Sequence, residues 1–193
     1  NEWQQPPTFR VRAMELPISP AAATCLYLGT ITDTQSFQLS STKPQTLETA
    51  AAMLQAGADL ASVINAVYFS TPESTLRLTA LVLSGLQREG GLLWATMTQA
   101  QQQVTGAEDE AADDTVMRMQ RVEGMRALVL LKERPDGSTK ISLRSVPGID
   151  VSAIAKQWGG GGHKQAAGAT LALTPAEAEA AVLPQLRVLL GMG

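Results

Sequence analysis

The stretch Gly159-Gly160-Gly161-Gly162-His163-Lys164-Gln165-Ala166-Ala167-Gly168 sets the reading of the whole chain. Ahead of it, Asp150 to Trp158 has a capping aspartate followed by a helical pattern. Behind it, a strand is expected near Ala169 to Leu173. Helix, glycine loop and strand in immediate succession point to an α/β domain. A plain helix-to-strand connector would fit the spacing, because short glycine loops are common. Four consecutive glycines, however, each cost about 1 kcal/mol relative to alanine in a regular element. The loop also carries the only histidine of the chain, His163, and then Lys164. Backbone N–H groups free of side chains, an imidazole and a fixed positive charge together suit an anion such as a phosphate.

The strand Lys140-Ile141-Ser142-Leu143-Arg144-Ser145 lies upstream. Alternation puts Lys140, Ser142 and Arg144 on one face and Ile141 and Leu143 on the other. Arg144 and Ser145 end the strand, and an arginine can hold a phosphate through two parallel hydrogen bonds. Taken alone, the segment reads as an ordinary exposed strand face. Its partner is the apolar strand within Met125 to Glu133, joined to it by the Pro135-Asp136-Gly137-Ser138 turn. Leu92 to Met97 reads as a further strand, and Thr98 as a helix cap. Asp113 or Asp114 can start a helix running to about Val122. Thr174-Pro175-Ala176-Glu177 opens a final helix with its N-cap, first-turn proline and capping-box glutamate.

The first half reads as helical. Ser19-Pro20 starts a helix over Ala21 to Leu28 that stops at Gly29. Thr30 to Phe37, dense in hydroxyls around Asp33, reads as a loop. Helices follow over Thr46 to Gln55 (closed by Gly57), from Asp59 to Tyr68, and from Pro72-Glu73 onward. The last of these has Leu76, Leu78, Leu81, Val82 and Leu86 on its apolar side. Gln87 to Gly91 is a polar stop, so two domains are expected, over residues 1–88 and 89–193. Trp3, Pro6, Pro7 and Phe9 show no helix or strand period.

The chain has 193 residues, 45% of them apolar, and a formal charge of −3. That balance supports a buried core and excludes a long basic surface for duplex DNA. No apolar run reaches the roughly 20 residues needed to span a bilayer, and no signal peptide is read. Cys25, alone in the chain, is expected as a helix-buried thiol of a cytoplasmic protein. Asp33 in Thr32-Asp33-Thr34 could be a turn residue. As a ligand of Mg²⁺ or Mn²⁺ it would need several further oxygen or imidazole donors.

Together these residues resemble a known family. Gly159 to Gly168, with Ile141 to Ser145 and Asp150 to Ala155, is similar to the DHH-associated domain that ends the DHH phosphoesterases. Leu28-Gly29-Thr30-Ile31-Thr32-Asp33-Thr34-Gln35-Ser36-Phe37 is similar to that family's fourth catalytic motif, with Gln35 where glycine is usual. Within the family, the spacing most resembles the bacterial nanoRNase and pAp phosphatase group. The resemblance implies an α/β architecture: the helical tail of a parallel-sheet catalytic domain, then a smaller substrate-binding domain. It implies that Asp33 is a ligand of a two-metal Mn²⁺ centre, with Mg²⁺ as the alternative ion. It implies that Arg144, Ser145, Gly159, Gly160, Gly161, Gly162 and His163, helped by Lys164, grip the phosphate end of a substrate. That substrate would be a short single-stranded RNA or DNA oligonucleotide or 3′-phosphoadenosine 5′-phosphate, with no membrane partner and with room for a homodimer. The Asp-His-His that names the family is absent, so the chain is expected to be inactive by itself. Rival expectations are a RecJ-type exonuclease, a cyclic-dinucleotide phosphodiesterase, and a non-catalytic RNA-binding unit of the kind found in alanyl-tRNA synthetases.

Overall fold

The computed structural model describes residues 18–39 and 42–192, which fall into two compact units divided between Thr71 and Pro72. The segment holding Trp3, Pro6, Pro7 and Phe9 lies outside the described residues. In the first unit, α1 (Pro20–Asp33), α2 (Pro44–Gln55) and α3 (Leu60–Tyr68) pack around Ala23, Tyr27, Ile31, Ala50, Met53 and Val63. Ser19 caps α1 and Asp59 caps α3, each by accepting a backbone N–H, as the sequence implies.

Helix α1 runs past Gly29 to Asp33, further than expected. Its buried stripe, Ala23, Tyr27 and Ile31, repeats every four residues straight through the glycine. Thr30 and Thr34 also donate their hydroxyls to the carbonyls four residues back, Leu26 and Thr30, at 2.9 and 2.6 Å. The same stripe explains Cys25, which is exposed rather than buried. Two residues from Ala23 on a 3.6-residue helix, it faces nearly the opposite way.

The second unit is a mixed sheet with helices on both faces. Its elements are α4 (Glu73–Ser84), β1 (Gln87–Glu89), β2 (Leu92–Met97), α5 (Gln99–Thr105), α6 (Ala111–Gln120), β3 (Ala127–Glu133) and β4 (Thr139–Ser145). Then come α7 (Ser152–Gln157), β5 (Gly161–His163), β6 (Ala166–Leu171) and α8 (Pro175–Leu190). The strand order is β1-β2-β3-β4-β6-β5, with β2 and β3 parallel and every other pair antiparallel. Thr98 and Thr174 form the reciprocal capping boxes of α5 and α8.

Helix α4 belongs to this second unit, so the compact units divide between Thr71 and Pro72 and not after residue 88. It buries Thr75, Leu78, Thr79 and Val82 and leaves Leu76 and Leu81 exposed. The supposed polar stop is the β1–β2 hairpin, turning at Gly90 and Gly91. Arg187 of α8 is bonded to Glu89 of β1 at 2.9 Å.

The two faces of the sheet are covered unequally. On one face, α8 and α7 bury Leu92, Val129, Leu131, Ile141, Leu143, Ala167, Ala169 and Leu171. On the other, α4 and α6 cover Leu93, Ala95, Met97, Leu128 and Leu130, which are β2 and β3 residues. Beyond β3, among the described residues, that second face carries no apolar core cluster; α6 borders β4, and the half-face over β4, β6 and β5 is otherwise open.

Candidate functional site

The register assigns side chains to the open half-face. Leu128, Arg144, Ala166 and His163 stand opposite one another across β3, β4, β6 and β5. Residues paired in this way project to one face. Arg144 and His163 therefore rise from the same row, two strands apart, with Cα atoms about 10 Å from each other. Only the methyl of Ala166 lies between them. The next row along is Ser142, Gly168 and Gly161, and the one after contains Lys140 and Thr170. The result is a flat floor of small residues with Arg144, His163 and Lys140 standing on it. His163, Lys140 and Gly161 are exposed, while Arg144, Ser142 and Gly168 are half-buried.

Arg144 has a hydrogen bond from Nη1 to the carbonyl of Leu143 (2.9 Å) and, among the described residues, no ion pair. Partial burial strips water from the guanidinium and holds its pKa below the ordinary arginine value; the charge of Asp113 works in the opposite direction. A desolvated guanidinium without a carboxylate in contact keeps its remaining donors, Nε and Nη2, for an anion.

The glycine run has two jobs. Gly159 (φ +71) is the left-handed residue that ends α7. Its N–H bonds to the Lys156 carbonyl and that of Gly160 to the Ala155 carbonyl, a paired helix stop. A Cβ on Gly160 would collide with the carbonyl of Gly168 and lie 2.6 Å from the Ala169 methyl. A Cβ on Gly162 (φ +139) would collide with the Ala166 carbonyl and lie 2.6 Å from the Ala167 Cα. Three of the four glycines thus meet local requirements of the fold. Gly161 does not: nothing lies within 4 Å of where its Cβ would be. It sits on β5, an edge strand that the sequence reading took for loop, and an edge leaves backbone N–H and C=O groups unpaired on its outer side.

Ser145 and Lys164 are placed apart from this row. Ser145 is buried on the α7/α8 face, with its hydroxyl bonded to the Ile149 carbonyl (2.7 Å). Lys164 is exposed in the two-residue turn between β5 and β6, and its carbonyl accepts the Val151 N–H (2.8 Å). Its charge, after the Ser152 hydroxyl, helps hold the Asp150 carboxyl below the usual aspartate range.

In the first unit, Asp33 is the exposed last residue of α1. The chain then turns through Gln35, Ser36 and Phe37, which have φ of +46, +60 and +65. Three successive side-chain-bearing residues in the left-handed region are costly, about 1–2 kcal/mol each. The turn is held by the Ser36 N–H on the Ile31 carbonyl (2.7 Å), the Phe37 N–H on the Thr34 hydroxyl (2.9 Å), and the Tyr68 hydroxyl on that of Ser36. Asp33 is a hard oxygen donor of the kind Mn²⁺ and Mg²⁺ prefer. Among the described residues, however, no three His, Cys, Asp or Glu side chains come together to hold a metal ion. One carboxylate does not make a two-metal centre.

Residues 97–187 match the family profile of the DHHA1 domain. That segment of the chain is a DHHA1 domain. The DHHA1 match spans the open half-face, from β4 through the glycine run to α8, so the resemblance carried by the glycine–histidine motif holds. Over 150 residues the chain is 40% identical to the "Bifunctional oligoribonuclease and PAP phosphatase NrnA" of Thermus thermophilus, an alignment covering 77% of this chain and 44% of that protein. It is 30% identical over 155 residues to the protein of the same name from Mycoplasma genitalium, covering 80% of this chain and 48% of that one. It is also 29% identical over 168 residues to the "Cyclic-di-AMP phosphodiesterase GdpP" of Geobacillus thermodenitrificans, covering 84% of this chain and 24% of that protein. Among solved structures it resembles an exopolyphosphatase-related protein from Bacteroides fragilis. The TM-score is 0.82 and the identity 26%, over 90% of this chain and 53% of that one. The chain spans less than half the length of the two NrnA relatives.

Proposed function

We propose that this DHHA1 domain grips the phosphate end of a very short single-stranded oligonucleotide, or of 3′-phosphoadenosine 5′-phosphate, for a metal-dependent phosphoesterase. The whole enzyme would release mononucleotides from such oligomers and remove the phosphate from the bisphosphate. The observation that carries this reading is the shared row of Arg144 and His163 on the open half-face. Between them they offer a bidentate guanidinium and an imidazole across a floor with no bulky side chain. The edge strand at Gly161 brings bare backbone alongside. Such contacts hold phosphate and sugar without reading bases, which suits fragments of mixed sequence. The names of the NrnA relatives support the same substrates.

When bound, two divalent metals would activate a water and clamp the phosphate for in-line attack. The described residues offer Asp33 to such a centre, and the other donors would lie outside them. What this chain does by itself is bind and orient. No described helix is long and apolar enough to cross a membrane, and the reading places the enzyme in the cytoplasm.

A second reading is favoured by the cyclic-di-AMP phosphodiesterase relatives: the same face would hold one phosphate of a cyclic dinucleotide. Titrating the full-length protein with a 5′-phosphorylated linear dinucleotide, its unphosphorylated form and a cyclic dinucleotide separates the two. Arg144→Ala is expected to weaken the 5′-phosphorylated ligand about tenfold or more, as loss of a charge-assisted contact implies, and the unphosphorylated form much less. Equal losses for both linear ligands would refute the phosphate grip.

A further inference from the structure

The phosphate grip occupies one end of the open half-face, and a second cation stands at the other end. Arg144, Ser142 and Lys140 are alternate residues of β4, so their side chains rise from the same face. Their partners on β6 are Ala166, Gly168 and Thr170. Four residues along a strand span about 13 Å. Between the two cations the floor carries Ser142, with Gly168 and Gly161 beside it. No bulky side chain interrupts the line from Arg144 to Lys140.

Lys140 sits where the fold gains nothing from a positive charge. Directly opposite it in the β3–β4 register is Lys132, and like charges facing each other across an antiparallel pair are destabilising. Lys132 has a structural task. It is buried, and its ammonium holds the loop ahead of α6 through the Asp109 carboxylate at 2.7 Å and the Asp109 carbonyl at 3.3 Å. Lys140 is exposed and, among the described residues, forms no ion pair; its charge acts on Asp109 only from a distance, behind that of Lys132. Lysines often guard the edge strand of a sheet, but β4 is an inner strand with β3 on one side and β6 on the other. A local rule broken without structural return is characteristic of a functional position. An ammonium on a flexible stem is a point charge suited to a phosphate whose exact place varies.

We infer that Lys140 binds the third phosphate of an oligonucleotide whose terminal phosphate is held by Arg144, and so favours trinucleotides over shorter ligands. Alternate residues of a strand are about 6.7 Å apart, close to the separation of successive phosphates in an extended single strand. The first phosphate then lies at Arg144, the second over Ser142 and the third at Lys140. A 5′-phosphorylated dinucleotide and 3′-phosphoadenosine 5′-phosphate have only two phosphates each and stop short of Lys140. This rests on the phosphate-grip reading above. It assigns length preference to the far end of β4, outside the glycine–histidine motif.

The test is isothermal titration of the full-length protein in the presence of a chelator, with 5′-phosphorylated di- and triadenylates at several salt concentrations. The unaltered protein is expected to bind the trinucleotide more tightly and with the steeper salt dependence. Lys140→Ala is expected to weaken the trinucleotide about three- to fivefold, as loss of an exposed charge contact implies, and to leave the dinucleotide unchanged. It should also lower the salt slope of the trinucleotide by about 0.7, the share of one phosphate contact on a single strand. Lys140→Arg keeps the charge and is expected to keep the preference. Equal weakening of both ligands would mean that Lys140 acts only as a general positive charge, and no change in either would mean that it touches no ligand; each outcome overturns the inference. Arg144→Ala serves as the separate control. If it spares 5′-phosphate binding, the phosphate-grip reading itself fails; if it abolishes that binding while Lys140→Ala treats both lengths alike, the grip stands and only the length inference falls.

Discussion

Replacing two adjacent glycines with alanine should have opposite consequences. At Gly160 the new methyl has no room: it overlaps the Gly168 carbonyl and comes within 2.7 Å of the Ala169 Cα, both in β6. Those contacts are backbone and cannot swing aside, so β5 has to move away from its partner. The strand has three register pairs with β6. Overpacking of this kind costs about 1–3 kcal/mol, and loosening even one or two ladder bonds adds about 0.5–1.5 kcal/mol apiece. Gly160→Ala is therefore expected to destabilise the second unit by about 2–4 kcal/mol, roughly 8–16 °C in melting temperature for a unit of this size. At Gly161 the same methyl enters open space at an ordinary φ, so the change in stability should stay within about 0.5 kcal/mol. That methyl would, however, stand on the floor beside Arg144 and His163, and binding of a 5′-phosphorylated dinucleotide should weaken. Thermal unfolding followed by circular dichroism, with a titration at 25 °C, reads both effects. The reasoning fails if Gly161→Ala unfolds as early as Gly160→Ala, or if both leave binding intact.

Gln35→Gly should stabilise the first unit by about 1 kcal/mol by relieving a left-handed φ of +46; urea unfolding that shows a loss would refute the turn geometry. Hydrogen bonding to Lys132, chiefly, holds the Asp109 carboxyl below its ordinary value of 3.8. The folded state thus binds its proton less readily than the unfolded chain. That contribution to stability is present above about pH 4 and is lost as the pH falls through the depressed folded value; Asp109→Asn should flatten this acid limb of the stability curve. The isolated chain should show no Mn²⁺-dependent hydrolysis of a dinucleotide, since the described residues bring no metal cluster together; steady turnover would refute that.

Much of the architecture was legible because its signals are local. Ser19, Asp59 and Thr174 mark their helix starts through single side-chain bonds to the next turn, and β4 is read from strict alternation over Thr139 to Ser145. The misreadings arose where tertiary packing overrides local propensity. Gly29 looks like a helix stop, but the buried stripe of α1 passes through it. Leu76 and Leu81 look like core, but α4 buries Thr75, Leu78, Thr79 and Val82 instead, with Thr79 bonded to Asp114 and Thr115 of α6. β5 has no strand propensity at all, and exists because β6 supplies its hydrogen bonds. At the candidate site, Arg144 and His163 could be named from sequence, but their shared row could not. Register depends on pairings between strands 20 residues apart in the chain.

The outermost strand of a sheet is ordinarily a hazard, because its unpaired backbone can recruit the strands of other molecules and begin aggregation. β5 is three residues long, has no apolar side chain, and includes Gly162 at φ +139. It is too short and too bent to template a foreign polypeptide. The bareness that leaves its edge accessible to a small solute therefore also protects the protein's solubility.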